Sequence, residues 1–440
     1  MKYYLTCNLF IFSFIFIACS QVAPDQQAFL LQTKGLTCDA AFTNSGELLI
    51  SGETASFAGT ASKKTGLKDA YVFQTNSTSK STSLTSYGIA DKSLRFEQIC
   101  PIESVRYISG NFGEDKNKLI CKLGSKNEVL WAMRSNIYKT IDKGDLATDR
   151  SGNSLIPSKD PSADAYEACI HLFDANGTCK WSRKLKAVEV WQDVIVMNDQ
   201  KFMISYKQKG AYINGELRKK YWINTFQIVD PAGELLQYRN FHFEYDLITD
   251  WHFNKLLQDK KGNLYFIGKI EYRNSNRQEA FIIKTASNGQ IIWSHSYTAS
   301  NGMEYAFKNA CLTANGNLMI LGDGYSKKGG IVFMEMDPEG KINWATLKAA
   351  AYFDQAMTIL SKGKNYEIIW DKLLNLAAFS CNVQGQTCTN DLQEIQFSQK
   401  NFPVLLNENK GSWESVSGDW EAIRLDVNSH GNVAVENGCK

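Results

Sequence analysis

A tight turn, a short apolar run and a tryptophan recur along this chain at a nearly constant interval. The clearest copies are Ser287-Asn288-Gly289-Gln290-Ile291-Ile292-Trp293 and Pro338-Glu339-Gly340-Lys341-Ile342-Asn343-Trp344. The slot holds Trp131, Trp181, Gln237, Trp293 and Trp344, at spacings of 50, 56, 56 and 51 residues. A second phrase alternates with the first: a turn glycine, a run of apolar residues, then another glycine six positions on. It reads Gly46-Glu47-Leu48-Leu49-Ile50-Ser51-Gly52, and returns at Gly262 to Gly268 and at Gly316 to Gly322. Self-similarity at this period marks an architecture assembled from stacked copies of one supersecondary unit.

Each phrase contains two short apolar strands around an Asn-Gly or Asp-x-x-Gly turn, which is hairpin chemistry. Two hairpins per period make a four-stranded antiparallel sheet that cannot bury both faces alone. Radial stacking of such sheets solves this, so the expected fold is all-β, a β-propeller of four-stranded blades. Seven blades are expected, with eight as the alternative. A parallel β-helix has a shorter period, and a sandwich does not require one phrase at one spacing. The tryptophans Trp131, Trp181, Trp293 and Trp344 are assigned to packing over the adjacent blade. One propeller domain is expected over residues 36–440, with 390–418 as an insertion before a final hairpin near Ala422 to Gly431.

The amino terminus carries Leu9-Phe10-Ile11-Phe12-Ser13-Phe14-Ile15-Phe16-Ile17-Ala18 before Cys19. That run is too short for a spanning helix and reads as the apolar region of a secretory signal, residues 1–18. Phe16-Ile17-Ala18-Cys19 resembles a bacterial lipobox, which implies lipidation of Cys19 and a tether over 19–35. The expected address is the cell envelope, with the body held at a membrane by its lipid alone. The charges (48 basic, 46 acidic, net +2) give no footprint for nucleic acid. Disulfides are permitted in that compartment. Cys381 and Cys388 face each other across a hairpin turning at Gln384-Gly385 and form the candidate bridge, whereas Cys169 and Cys179 are out of register.

Asp337 to Trp344 and Asp174 to Trp181 resemble the tryptophan motif of quinoprotein-dehydrogenase-like propellers. The glycine phrase resembles the short β-propeller repeats of secreted bacterial proteins. These resemblances imply blade construction over residues 36–440. The quinone-dependent branch carries a vicinal disulfide, and no two cysteines are adjacent here, so no cofactor and no metal are assigned. The densest ionisable stretch is His242, Glu244, Asp246, Asp250 and His252, which reads first as a solvated blade connection and second as a candidate proton-transfer or metal site. No catalytic residue is assigned. The expectation is an anchored propeller binding a protein or glycan partner through rim loops. The alternative is a polysaccharide lyase or hydrolase using the central channel. Binding predicts an exposed aromatic patch on a rim; catalysis predicts ionisable groups from several blades meeting at the channel mouth.

Overall fold

The turns of the repeat close in a single way. In the Asp337 turn the Gly340 N–H donates to Asp337 O at 3.0 Å, while the Glu339 and Lys341 N–H groups donate to Asp337 Oδ1 at 3.0 and 2.8 Å. Gly340 sits at φ +90°, a left-handed backbone that a side chain resists. Aspartate thus caps the turn and glycine completes it, which explains the Asp-x-x-Gly signature. The computed structural model that shows this describes residues 28–437 except 32–34, 55–66, 76–81, 90, 141–145, 161–167, 186–187, 214–215, 244–247, 273–276, 325–329, 350–354, 363–364, 373–374, 383–391, 402, 409–413, 417–418 and 430–435.

Among the described residues there is no helix, and every sheet is antiparallel. Four consecutive strands make a unit, spanning residues 35–88, 94–139, 147–185, 188–243, 248–299 and 305–349. A seventh unit joins Gln355–Lys362, Asn365–Lys372 and Asn375–Asn382 to Ala28–Leu31 from the other end of the chain. The second and third units share one ladder through the pairing of Lys139 with Lys159. The first strand of each unit touches the first strand of the next, and Gly35–Phe42 touches Gln355–Lys362. The units therefore close into a ring, and the fold is an all-β propeller with these units as blades.

Packing follows from the ring. Leu264, Tyr265, Phe266 and Ile267 are all fully buried although they alternate faces, because a blade sits against each side. Phe226 and Phe241 of the fourth blade meet Trp251, Phe253 and Phe266 of the fifth in one aromatic cluster. Each such ring contributes about 1.5–3 kcal/mol on burial. Ile369 of the seventh blade packs with Ile50 and Tyr71 of the first, sealing the circle.

The carboxy-terminal segment corrects the sequence reading. The described residues of 390–418 extend the blades instead of forming an insertion, and no closing hairpin is seen among the described residues that follow. Leu392–Glu394, Phe397–Asn401, Val404–Glu408, Glu414–Ser415, Trp420–Ala422, Asp426–Ser429 and Glu436–Asn437 add a fifth strand to the sixth, fifth, fourth, third, second, first and seventh blades in turn. The chain winds back around the whole ring as a belt. Glu394, Asn401, Glu408, Ser415 and Ala422 lie opposite Thr346, His295, Arg239, Arg183 and Met133, so the belt advances seven residues per blade. Each of those partners stands two residues beyond a slot of the tryptophan phrase. Belt apolar groups fill the seams: Ile395, Val404 and Leu425 are buried in three different inter-blade clusters.

The amino-terminal boundary also moves. Ala28–Leu31 lies within the span expected as tether, yet it pairs with both Asn375–Asn382 and Glu436–Asn437. Its consecutive apolar residues suit a strand between two others better than a solvated linker.

Candidate functional site

Antiparallel alternation gives the ring two unlike faces. Among the described residues, the turns after the first and third strands, which include the repeat glycines Gly262, Gly289, Gly316 and Gly340, fall on one face. Described connections after the second and fourth strands, such as 113–116 and 300–304, fall on the other, and they keep no common length or sequence. On the turn face the tryptophans are committed to structure. The Trp131, Trp181 and Trp293 indole N–H groups donate at 3.1 Å to Ala175 O, Pro231 O and Pro338 O of the next blade. Each acceptor stands two residues before a turn glycine, and a Cβ added at Gly177 would lie 2.9 Å from the Trp131 ring. Trp344 differs: its N–H donates to Glu335 Oε2 within its own blade at 2.9 Å. Arg239 occupies the equivalent place on the fourth blade, where Gln237 fills the tryptophan slot, and it donates to Asn288 O at 3.4 Å.

The channel wall is built from one recurring irregularity. The innermost strands slip by a residue between Thr37 and Asp39, Phe96 and Gln98, Trp191 and Asp193, Phe253 and Lys255, Phe307 and Asn309, and Ala356 and Thr358. These β-bulges bring backbone close to the second strand. A Cβ added at Gly110 or Gly268 would lie 2.2 or 2.0 Å from the carbonyl oxygen of Arg95 or His252, which accounts for the second glycine of the glycine phrase. The residues at the slips clasp neighbouring blades. Asp39 Oδ2 accepts the Ile99 N–H at 3.0 Å, Asp193 Oδ2 accepts the Leu256 N–H at 2.7 Å, and Asn254 Nδ2 donates to Phe307 O at 2.7 Å. Lys255 pairs with Asp193 at 3.3 Å. Burial lifts the Asp39 carboxyl to about 6, with Asp193 adding and Lys255 opposing.

On the loop face, a cavity of about 760 Å³ opens between the first and second blades. Its wall is mainly polar. Glu97, at the bulge of its strand, accepts from Asn111 Nδ2 at 2.6 Å and Thr140 Oγ1 at 3.1 Å, and pairs with the fully buried Lys118 at 3.3 Å. Arg95 Nε donates to Cys38 Sγ at 3.2 Å, and burial pushes that thiol up to about 12, so it meets the guanidinium as a neutral group. Asn117, also in the lining, has a buried Oδ1 with no hydrogen-bond partner among the described residues. Sequence reasoning missed this site because its residues belong to no repeat.

The ionisable stretch singled out in the sequence does not assemble. His242 lies on the outermost repeat strand of the fourth blade, opposite Leu405 of the belt, whereas His252 lies on the innermost strand of the fifth. Asp250 pairs with Lys207 at 2.6 Å, and Glu244 and Asp246 lie outside the described residues. Among the described residues, no group of three or more His, Cys, Asp or Glu is placed to hold a metal. Cys169 lies opposite Lys184 and Cys179 opposite Phe173, so the two stand in different registers. Cys381 pairs in strand with Tyr366, while Cys388 lies outside the described residues, as does Cys19. The exposed large apolar side chains among the described residues include no aromatic ring. Leu130, Leu236 and Ile292 are spaced around the circumference, so the aromatic rim patch expected of a binding surface is not seen among them.

No protein-family model matches the chain, and no curated protein matches it in sequence. Among solved structures, it is similar to a protein of unknown function from Bacteroides caccae at 14% identity, with 57% of this chain and 78% of that one covered and a TM-score of 0.34. A europium-containing methanol dehydrogenase matches at 8% identity over 77% of this chain and 85% of that one, TM-score 0.39. The exotype rhamnogalacturonan lyase YesX matches at 11% identity over 83% and 92%, TM-score 0.28. Likeness at this level carries no functional weight, and function rests on the chain's own residues.

Proposed function

We propose that this chain is an envelope-anchored lipoprotein whose propeller binds a glycan in the cavity between the first and second blades. The observation that carries the reading is the wall itself: about 760 Å³ lined by amides, hydroxyls and ions from two blades on the face where the repeat is not kept. Sugar hydroxyls both donate and accept, and a wall mixing Asn111, Asn117, Ser93 and Thr140 answers both roles. Leu94 and Phe112 of the lining are buried, which leaves Leu67 as its partly exposed large apolar side chain. A lyase or hydrolase is less well supported. Glu97 is already engaged by Asn111, Thr140 and Lys118 within the wall, and no second carboxylate is placed beside it among these contacts.

The reading is tested by screening residues 20–440 against an oligosaccharide array and measuring the hits by calorimetry. Saturable binding is expected for the parent. Ser93→Tyr, which fills the lining, should weaken it by about tenfold or more. Unchanged affinity in that variant, or turnover of the bound sugar, would overturn the reading.

A further inference from the structure

Three of the five acids of the cavity wall are matched by lysines that stand outside the lining, and the other two, Asp91 and Glu114, are exposed to solvent. Glu53 pairs with Lys68 at 2.6 Å, Glu97 with Lys118 at 3.3 Å and Asp115 with Lys139 at 3.2 Å. Three anions of the lining thereby have ion-pair partners other than its own cations Lys92, Arg95 and Lys116, although Glu97 and Glu53 also act on Arg95 electrostatically. Of these, Lys92 lies over the Phe112 ring with its ammonium 5.4 Å from the centroid, and Lys116 is exposed at a loop tip. Arg95 is different. It is half-buried in the innermost strand, and the hydrogen bond it makes among the described residues uses Nε and a thiol, leaving its two terminal nitrogens. A guanidinium held by Nε presents those nitrogens as a parallel pair of donors, which matches a carboxylate.

We infer that Arg95 recognises a carboxylate on the bound glycan, so that the ligand is a uronic-acid or other carboxylated saccharide. This rests on the cavity reading above and narrows it to one chemistry. Cys38 acts as a positioning residue: its thiol fixes the Nε edge and sets the plane of the fork. The neighbouring Asn117, together with the acceptor oxygens of Asn111 and Thr140 whose donors serve Glu97, is left for hydroxyls of the same sugar. The step is non-covalent, and the exchange is of ion hydration for a charge-assisted pair in a partly enclosed wall.

The experiment uses a set of uronic-acid trisaccharides, their carboxyl-reduced neutral counterparts, and triglutamate, titrated into the parent, Arg95→Gln, Arg95→Lys and Cys38→Ala. The inference expects at least one acidic trisaccharide to bind the parent about tenfold or more tighter than its neutral counterpart. In Arg95→Gln that preference should vanish while neutral binding persists, and Arg95→Lys should recover part of it. Cys38→Ala should reduce the preference without abolishing it. If Arg95→Gln fails to fold, loss of the acid preference in the parent at high salt serves in its place. Equal binding of acidic and neutral sugars to the parent overturns this inference and leaves the glycan reading standing. No binding of any saccharide overturns both. Binding of triglutamate alone through Arg95 overturns the saccharide and points to an acidic peptide.

Discussion

His171 is fully buried in the third blade, with Nε2 against Ser158 Oγ and Nδ1 against Ser182 Oγ, both at 2.7 Å. Burial, helped by the Lys118 ammonium, pulls it from 6.5 down to about 3. The folded protein therefore holds the neutral ring. Its contribution is complete above the unfolded value near 6.5 and is lost as pH falls towards 3. Asp39 runs the other way: burial raises its carboxyl from 3.8 to about 6, so its contribution is complete below 3.8 and is lost as pH rises through 6. Between about pH 4 and 6 the two slopes oppose each other, each reaching about 1.4 kcal/mol per pH unit. Removing either group should expose the other. His171→Gln should gain stability on acidification across that window relative to the parent, and Asp39→Asn should lose it more steeply. Urea melts at four pH values check this, and parallel profiles for all three proteins would sink the assignment.

At the scale of elements, the glycine phrase was readable because it obeys local rules. A left-handed turn demands the first glycine, and a bulged neighbour demands the second. Gly268→Ala drives a Cβ to 2.0 Å from the His252 carbonyl oxygen and should cost about 1–3 kcal/mol by thermal melt. An unchanged melting temperature would mean that the bulge does not press on that strand. The belt was unreadable for the converse reason. Its strands hold two to five residues, and each continues to the next blade instead of turning back, so no turn chemistry announces them. The seven-residue advance appears only once the partners are known. The cavity residues were equally silent: Arg95, Glu97 and Asn117 repeat nowhere and come together only when the strands of the second blade pair. A chain ending at residue 391 should leave the outermost repeat strands unpaired and the seams around Ile395, Val404, Trp420 and Leu425 open. Exposed edges of that kind invite association. Light scattering should then find oligomers or aggregates in place of the monomer expected of the full chain. A monomer of unchanged melting temperature would show that the belt is dispensable.

The whole molecule is tied together at one blade. Ala28–Leu31 and Glu436–Asn437 lie side by side in the seventh sheet, so both ends of the chain fasten the same closure. This changes what an anchor at Cys19 implies. If Cys19 is lipidated as proposed, residues 20–27 separate it from the first described strand, and their fully extended reach of about 30 Å would hold the ring close to the bilayer surface. Lipidation and closure then separate experimentally. Cys19→Ala should move the protein from the membrane to the soluble fraction of cell envelopes, with its melting temperature unchanged. Deleting residues 20–27 while keeping Cys19 should leave both membrane partition and melting temperature intact. Deleting 28–31 should lower the melting temperature, because Asn375–Asn382 and Glu436–Asn437 each lose their partner strand. A Cys19→Ala protein that stays with the membrane would remove the lipid anchor. Loss of stability in the 20–27 deletion would place the start of the fold upstream of Ala28.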